Sequence, residues 1–317
     1  MTEKRTFAGH LAAMFTIFVW GTTFVSTKIL LRSFEPVEIL FLRFLMGFFA
    51  LGLARPVLLK TKGFEEERFF LAAGLCGVTL YFLLENIALT FTLASNVGVI
   101  LSTAPFFTAL ASYFFLKGER PGKRFFAGFL IAMAGIVLIG FNGSFVLKIN
   151  PVGDLLSVLA ALVWAFYSVL TRKIGQFGYP VILTTRRVFL YGLVFMIPAL
   201  FLLGFHPAAV EVFRPVNLGN LLFLGLGASA VCFVTWGWAV GVLGAVKTSA
   251  YIYLSPVVTI VFSALILKEP VTAVSLAGAG LTLLGLVVSE GTYRGKAALE
   301  PVPGGEAESK QHDLSKS

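Results

Sequence analysis

Three charged residues within long apolar runs, Arg43, Glu85 and Arg187, have the clearest potential for chemistry. A charge buried in an apolar bundle is costly, so it is expected to pair or to serve a function. Pro36 begins the run that contains Arg43, which at 1.5 Å per residue places Arg43 roughly 10 Å inside it. Glu85 lies at a similar distance from the same end of the next run. The spacing predicts an Arg43–Glu85 ion pair, either permanent or opened by a substrate so that Glu85 binds protons.

The two halves of the chain are similar in sequence. Arg187 in the second half corresponds to Arg43 in the first, and Trp236 corresponds to Glu85. We therefore expect Arg187 to lack an acidic partner. An unpaired guanidinium suits a carboxylate or phosphate of a substrate. The alternative is that Arg186 and Arg187 extend toward the inner lipid headgroups.

Aromatic and polar side chains within the runs are further candidates to line a pathway for the substrate. Trp20 and Trp164 match across the two copies in mid-run, where they would either line a cavity or pack the copies together. Hydroxyl and amide groups near that depth would either line the pathway or join neighbouring helices. These residues are Asn96, Ser102, Tyr251 and Tyr253.

Pro105 and Pro256 lie near the middle of two matched runs. Each removes a backbone donor at membrane depth, which predicts a kink that either is purely structural or also serves as a gating hinge. Four glycines are expected to allow close helix packing. They are Gly128, Gly135, Gly278 and Gly285.

Composition indicates which kind of secondary structure holds these residues. The 317 residues are 57% hydrophobic and 13% charged, with a mean hydropathy of +0.90. This is too few charges to coat a water-soluble domain, and continuous apolar runs are too long for barrel strands. We predict an all-α helical membrane protein with ten transmembrane helices. The runs cover 10–31, 36–53, 69–91, 95–116, 125–141, 152–171, 180–203, 220–240, 245–267 and 272–289.

The distribution of Lys and Arg predicts orientation. With a cytoplasmic N-terminus, seventeen of the 25 basic residues fall in inner segments and four in outer ones, so both termini should be cytoplasmic in the cell (inner) membrane. The net charge of +9 then reflects topology rather than a nucleic-acid partner. The cluster at Glu65, Glu66 and Glu67 is expected to be a solvated face.

The two halves of the chain are similar. A shift of 144 residues aligns Trp20 with Trp164 and Arg43 with Arg187, and a shift of 151 aligns Pro105 with Pro256. Five runs per half is an odd number, so the repeats should have inverted topology, as in many secondary transporters. The predicted divisions are a cytoplasmic N-terminus, two five-helix repeats joined by an outer linker, and a disordered cytoplasmic tail. They cover 1–9, 10–141, 142–151, 152–289 and 290–317.

A family resemblance rests on two ordered copies of one motif. The first runs from Ala88-Leu89 through Thr92, Ala94-Ser95 and Pro105 to Leu116-Lys117-Gly118-Glu119-Arg120-Pro121, and the second from Ala245 through Ser255-Pro256 to Leu267-Lys268-Glu269-Pro270. They resemble the repeat of the EamA family in the drug/metabolite transporter superfamily. The resemblance implies a ten-helix inner-membrane carrier, commonly an exporter of amino acids or other small metabolites.

We therefore expect a secondary active transporter that works by alternating access, with multidrug and nucleoside- or sugar-type carriers as alternatives. The three His and two Asp residues lie outside the deep parts of the runs, which disfavours an intramembrane enzyme, and no metal or cofactor is expected. The expected partners are a small-molecule substrate, the lipid bilayer and, as a candidate coupling ion, the proton. A monomer and a homodimer both fit.

Overall fold

The structure is a computed structural model, in which all secondary structure of the described residues is helical. This confirms the all-α prediction. The predicted linker and C-terminal tail lie almost entirely outside the described residues. The structure describes residues 3–91, 94–116, 121–141, 150–262, 264–265 and 271–290.

The described residues form ten helical segments, with a short helical turn, Ala209–Val212, before α8. The segments are α1 (Glu3–Leu30), α2 (Pro36–Ala54), α3 (64–91), α4 (94–115), α5 (Lys123–Phe141), α6 (Pro151–Gly175), α7 (Val181–Leu203), α8 (215–243), α9 (245–262) and α10 (Ala273–Glu290). Gly244 alone separates α8 from α9, and its φ of 92° makes the turn that a side chain would oppose.

Length and hydropathy qualify six of these segments as candidate membrane spans: α1, α2, α3, α6, α7 and α8. Each contains at least 19 residues in a continuous helical stretch, enough to cross a hydrocarbon core of about 30 Å. Of the other segments, α10 is shorter, with 18 residues, and α4 and α9 are interrupted. The chain is thus a multi-pass helical membrane protein, and ten crossings remain a prediction.

Both mid-run prolines follow an interruption of their helix. In α4 the first part ends at Leu101 and a new helix begins at Ala104, with Pro105 in its first turn. In α9 a 3-10 turn at Tyr251–Tyr253 precedes the helix that holds Pro256. Proline lacks the N–H that a continuous helix needs, so it is tolerated in a first turn. The interruptions occur at equivalent positions of the two repeats.

The third segment of each repeat also changes its helical winding. Leu75–Leu80 in α3 and Phe223–Val231 in α8 are π-helical. Under the shift of 151 residues the first range falls on 226–231, inside the second. Such segments are rare and recur at functional sites. Nothing in the sequence pattern predicted them.

The α5 and α10 helices, which are equivalent under the repeat, pack directly on one another. A Cβ atom added to Gly135 would lie 2.5 Å from the Gly278 carbonyl oxygen, and one added to Gly128 would lie 2.6 Å from that of Gly285. The pairs run in opposite chain directions, so the two helices are antiparallel. The predicted role of these glycines in close packing is confirmed.

The remaining helices of the two repeats interlock. The first helix of each repeat packs against the third and fourth of the other, since α1 contacts α8 and α9 while α6 contacts α3 and α4. The second helices, α2 and α7, contact each other. The largest buried apolar cluster consequently draws on both repeats. Its centre is where the candidate functional residues meet.

Candidate functional site

A cluster of aromatic rings occupies the junction of the repeats. Trp20 of α1 lies with its ring centroid 5.3 Å from that of Trp164 of α6 and 5.2 Å from that of Trp236 of α8. Tyr81 of α3 packs 4.8 Å from Trp164, and Phe233 of α8 lies 5.6 Å from Trp20. We call these five residues the central aromatic cluster. The two tryptophans singled out from the sequence are thus brought into contact.

The indole N–H groups of the three tryptophans differ in whether they donate a hydrogen bond. Trp20 Nε1 donates to the Ala228 carbonyl oxygen at 2.8 Å, inside the π-helical part of α8. The Nε1 atoms of Trp164 and Trp236 are buried and have no hydrogen-bond partner among the described residues. A buried donor left unpaired costs about 1–3 kcal/mol. Two such donors side by side favour an acceptor supplied by a bound molecule.

Arg43 is buried beside the cluster. Its Nε donates to Ser229 Oγ at 2.9 Å, and its guanidinium carbon lies 4.7 Å from the ring centroid of Phe82 and 5.3 Å from that of Phe44. The π-helical winding of α8 presents both Ser229 to Arg43 and Ala228 to Trp20. Ser229 was missed from the sequence because its repeat equivalent is Val78, which gave no polar signal.

Glu85 lies on α3 one helical turn beyond Tyr81 and Phe82 and is only 8% exposed. It interacts electrostatically with Arg43 and Tyr81, yet no ion pair joins Glu85 to Arg43, and both are among the described residues. The predicted direct pair is therefore wrong. Arg43 instead lies against Ser229 and the Phe82 ring, which leaves both charges able to contact a third molecule.

Arg187 is paired, contrary to the prediction. Its Nε lies 2.6 Å from Glu67 Oε1, which also accepts a hydrogen bond from the Tyr191 hydroxyl. Glu67 Oε2 accepts from Thr61 Oγ1 at 2.6 Å. The repeat alignment looked for an acid at the position of Trp236, whereas Glu67 comes from the first turn of α3. Arg186 donates to the Arg55 carbonyl oxygen at 3.0 Å.

The acidic cluster is consequently more than a solvated face. Glu65 is exposed and pairs with Arg68 one turn away at 2.7 Å. Glu66 Oε2, by contrast, accepts from the Tyr179 hydroxyl at 2.6 Å, and this hydrogen bond raises the pKa of Tyr179, which lies in the loop before α7. Glu66 and Glu67 therefore fasten α3 to the second repeat.

Several other predicted pathway residues lie away from the central aromatic cluster. The Tyr253 side chain packs with Ala132 and Ile136 of α5, because the 3-10 turn directs it outward. Tyr251 hydrogen-bonds His10 Nδ1 at 2.5 Å. Ser102 donates to the Gly98 carbonyl oxygen in its own helix at 2.8 Å. The Asn96 side chain lies outside the described residues. Roles for these side chains remain predictions.

A cavity of about 180 Å³ adjoins the cluster. It lies between α6, α7 and α8, with Tyr167 and Phe233 at one end and Tyr179 and Gly178, in the loop between α6 and α7, at the other. Thr184 and Thr185 add hydroxyl groups to its wall. Tyr167 and Phe233 also touch Trp164 or Trp20. The two rings therefore lie between the cavity and the tryptophans, and Phe233 belongs both to the cavity wall and to the central aromatic cluster.

Over the described part of the chain, no group of three or more His, Cys, Asp and Glu residues is arranged to hold a metal ion. Cys76 and Cys232 are free thiols.

The model of the EamA-like transporter family matches residues 7–141 and again 151–290. The chain belongs to the EamA-like transporter family. The two matched ranges lie close to the repeats inferred at 10–141 and 152–289. They include all residues of the central aromatic cluster.

Individual relatives agree with this assignment to EamA-like transporters. An uncharacterized transporter of Archaeoglobus fulgidus is 30% identical over 290 residues, covering 88% of this chain and 96% of the relative. A probable terminal-alkyne amino-acid exporter of Streptantibioticus cattleyicolor is 25% identical over 297 residues, covering 92% and 97%. One crystal structure shares the fold at a TM-score of 0.69, with 22% identity and coverage of 91% and 97%. The protein is thus a transporter, and its relatives are consistent with it not being an enzyme.

Proposed function

We propose that this EamA-like transporter is a secondary active exporter of small zwitterionic metabolites, amino acids above all, across the cytoplasmic membrane. The observation that carries the proposal is the pair of buried indole N–H groups of Trp164 and Trp236, which have no hydrogen-bond partner in the described part of the chain, with Arg43 and Glu85 nearby. This arrangement lies where the two repeats meet, the usual location of substrate sites in inverted-repeat carriers.

The chemistry of the cluster matches an amino acid in three respects. Aromatic faces accept an apolar side chain. Indole N–H groups and the Arg43 guanidinium are donors for a carboxylate, and Glu85 is an acceptor for an ammonium group. The name of the Streptantibioticus relative, an amino-acid exporter, supports this class.

Alternating access supplies the transport cycle. In the orientation predicted from basic residues, the 180 Å³ cavity opens toward the cytoplasm at the loop between α6 and α7. The conformation is thus one that would load substrate from the inside, with Tyr167 and Phe233 as the last barrier.

A proton is the proposed coupling ion, with Glu85 as its binding group. A substrate carboxylate that engages Arg43 would weaken the field that favours ionised Glu85, so substrate and proton occupancy would be linked. The geometry supports this role because Glu85 is buried and has no ion-pair partner among the described residues.

A substrate panel in proteoliposomes at two imposed pH gradients tests the proposal. We expect saturable movement of at least one amino acid, driven by the gradient. Absence of transport for all amino acids would contradict it.

A second candidate substrate class is the organic cation, favoured by the aromatic rings around Glu85. Transport of cationic drugs combined with no amino-acid transport would select this alternative. Movement of either substrate class across the membrane would distinguish a carrier from an enzyme, which would convert its substrate without moving it.

A further inference from the structure

The two arginines that match across the repeats, Arg43 and Arg187, make parallel contacts at opposite ends of the bundle. Arg43 of α2 reaches Ser229 of α8, and Arg187 of α7 reaches Glu67 of α3. Each contact therefore joins the second helix of one repeat to the third helix of the other. In the predicted orientation, the first contact lies toward the outside and the second toward the cytoplasm.

The two contacts differ in strength. Among the described residues, Arg43 hydrogen-bonds a neutral hydroxyl, whereas Arg187 pairs with a carboxylate at 2.6 Å that Thr61 and Tyr191 hold from two further directions. The Glu67 and Arg187 side chains are 13% and 26% exposed, so solvent screens their attraction only in part. We call Thr61, Glu67, Arg187 and Tyr191 the inner clasp.

The inner clasp and the cavity lie on neighbouring faces of α7. Val181, Thr184 and Val188 face the cavity, while Arg187 and Tyr191 face α3. At 100° per residue, the two groups are about a quarter of a turn apart. α7 already contacts α8 where the Phe189 and Phe233 rings pack with centroids 5.1 Å apart. A pivot of the cytoplasmic end of α7 toward α8 about this contact would narrow the cavity and draw Arg187 away from Glu67.

We propose that the inner clasp is a state-dependent lock that holds α7 against α3 and so keeps the cytoplasmic cavity open. The lock opens when α7 moves toward α8, and the conformation in which the cavity is closed lacks the Arg187–Glu67 pair. Glu67 and Arg187 are thus positioning residues for transport, since they set how often the cavity is open without touching substrate. The proposal rests on the alternating access proposed above.

Cavity accessibility tests the lock without any knowledge of the substrate. The reporter is Thr184→Cys in a background with Cys76→Ser and Cys232→Ser, labelled by a membrane-impermeant thiol reagent from the cytoplasmic side of sealed vesicles. Glu67→Gln keeps the size of the side chain but removes its charge. We expect labelling of the reporter about three- to tenfold slower, because the closed conformation gains population when a partly buried ion pair is lost.

Two further variants make the result specific. The exchange of Glu67→Arg with Arg187→Glu rebuilds an ion pair and is expected to recover most of the labelling rate. Glu65→Gln is the matched control, since it removes a charge two positions away from an 81% exposed side chain, and labelling should not change. Monodispersity of each purified variant in detergent shows that it is folded.

Labelling that stays unchanged or becomes faster in Glu67→Gln would overturn the lock. An equal decrease in Glu65→Gln would also overturn it, because a general surface-charge effect would then explain the result. Failure of the substrate panel leaves these labelling outcomes interpretable, so the lock and the transport proposal are tested separately.

Discussion

Replacing Trp164 by Phe separates substrate binding from packing. The change keeps an aromatic ring but removes an N–H donor that has no partner among the described residues. Since an unpaired buried donor costs about 1–3 kcal/mol, its removal should offset most of the cost of the smaller ring. A carboxylate that accepts from this N–H should lose about 1.5–3 kcal/mol of binding, or roughly ten- to 150-fold in affinity.

Trp20→Phe is the matched control. It removes a similar volume from a ring in contact with Trp164, but its N–H donates to Ala228 at 2.8 Å. That hydrogen bond contributes about 0.5–1.5 kcal/mol to stability. The cost of the smaller ring is similar in both variants. Trp20→Phe should therefore be less stable than Trp164→Phe by about 1.5–4.5 kcal/mol, the sum of the hydrogen bond lost and the penalty relieved.

Thermal unfolding of the two purified variants in detergent measures the stability difference, and concentration dependence of transport in proteoliposomes measures affinity. We expect Trp164→Phe to unfold several degrees above Trp20→Phe while showing a much higher half-saturation concentration. Equal unfolding temperatures together with an unchanged half-saturation concentration for Trp164→Phe would refute the reasoning.

Three more changes address the neighbouring residues. Glu85→Gln should abolish the response of transport to an imposed pH gradient while leaving exchange of substrate intact, and an unaltered pH response would exclude Glu85 as the proton site. Arg43→Gln should weaken binding of substrates with a carboxylate at least tenfold, whereas Ser229→Ala should cost less than about threefold in affinity, so equal effects would argue against direct contact of Arg43 with substrate. Gly135→Leu should lower the unfolding temperature strongly, since its Cβ would lie 2.5 Å from the Gly278 carbonyl oxygen. Gly219→Ala should not, because its added Cβ would meet no described atom within 4 Å beyond its own helix backbone and chain neighbours. Similar unfolding temperatures would contradict the close packing of α5 and α10.

Helix boundaries show how much of the secondary structure the local sequence predicts. Pro36 and Pro151 each begin a helix, in agreement with the starts predicted at 36 and 152. Three starts differ by five residues or more: α1 begins at Glu3 instead of residue 10, α3 at Phe64 instead of residue 69, and α8 at Pro215 instead of residue 220. Charged first turns extend α1 and α3 beyond their apolar runs, and a polar segment with two asparagines extends α8. Hydropathy detects the apolar part of a helix, whereas backbone hydrogen bonding continues into the polar part.

The partners of buried charges were beyond the reach of the sequence. Arg43 and Arg187 were correctly singled out, but their partners, Ser229 and Glu67, are 186 and 120 residues away along the chain. Periodicity and repeat alignment relate positions within equivalent helices. They do not give the rotation of one helix against another, which decides whether two side chains at one depth meet.

Hydrophobicity, turn residues and motif order are local properties of the chain, and they were enough to indicate a helical membrane protein, its repeat and its membership of a transporter family. Helix packing determines which indole N–H groups have no hydrogen-bond partner among the described residues, that Arg43 lies beside Glu85 without pairing with it, and that a cavity lined by α6, α7 and α8 lies next to the cluster. These features depend on how the interlocked helices from both repeats pack. They depend in particular on the π-helical turns, which rotate the side chains that follow them about the helix axis, and a hydropathy pattern does not show this rotation.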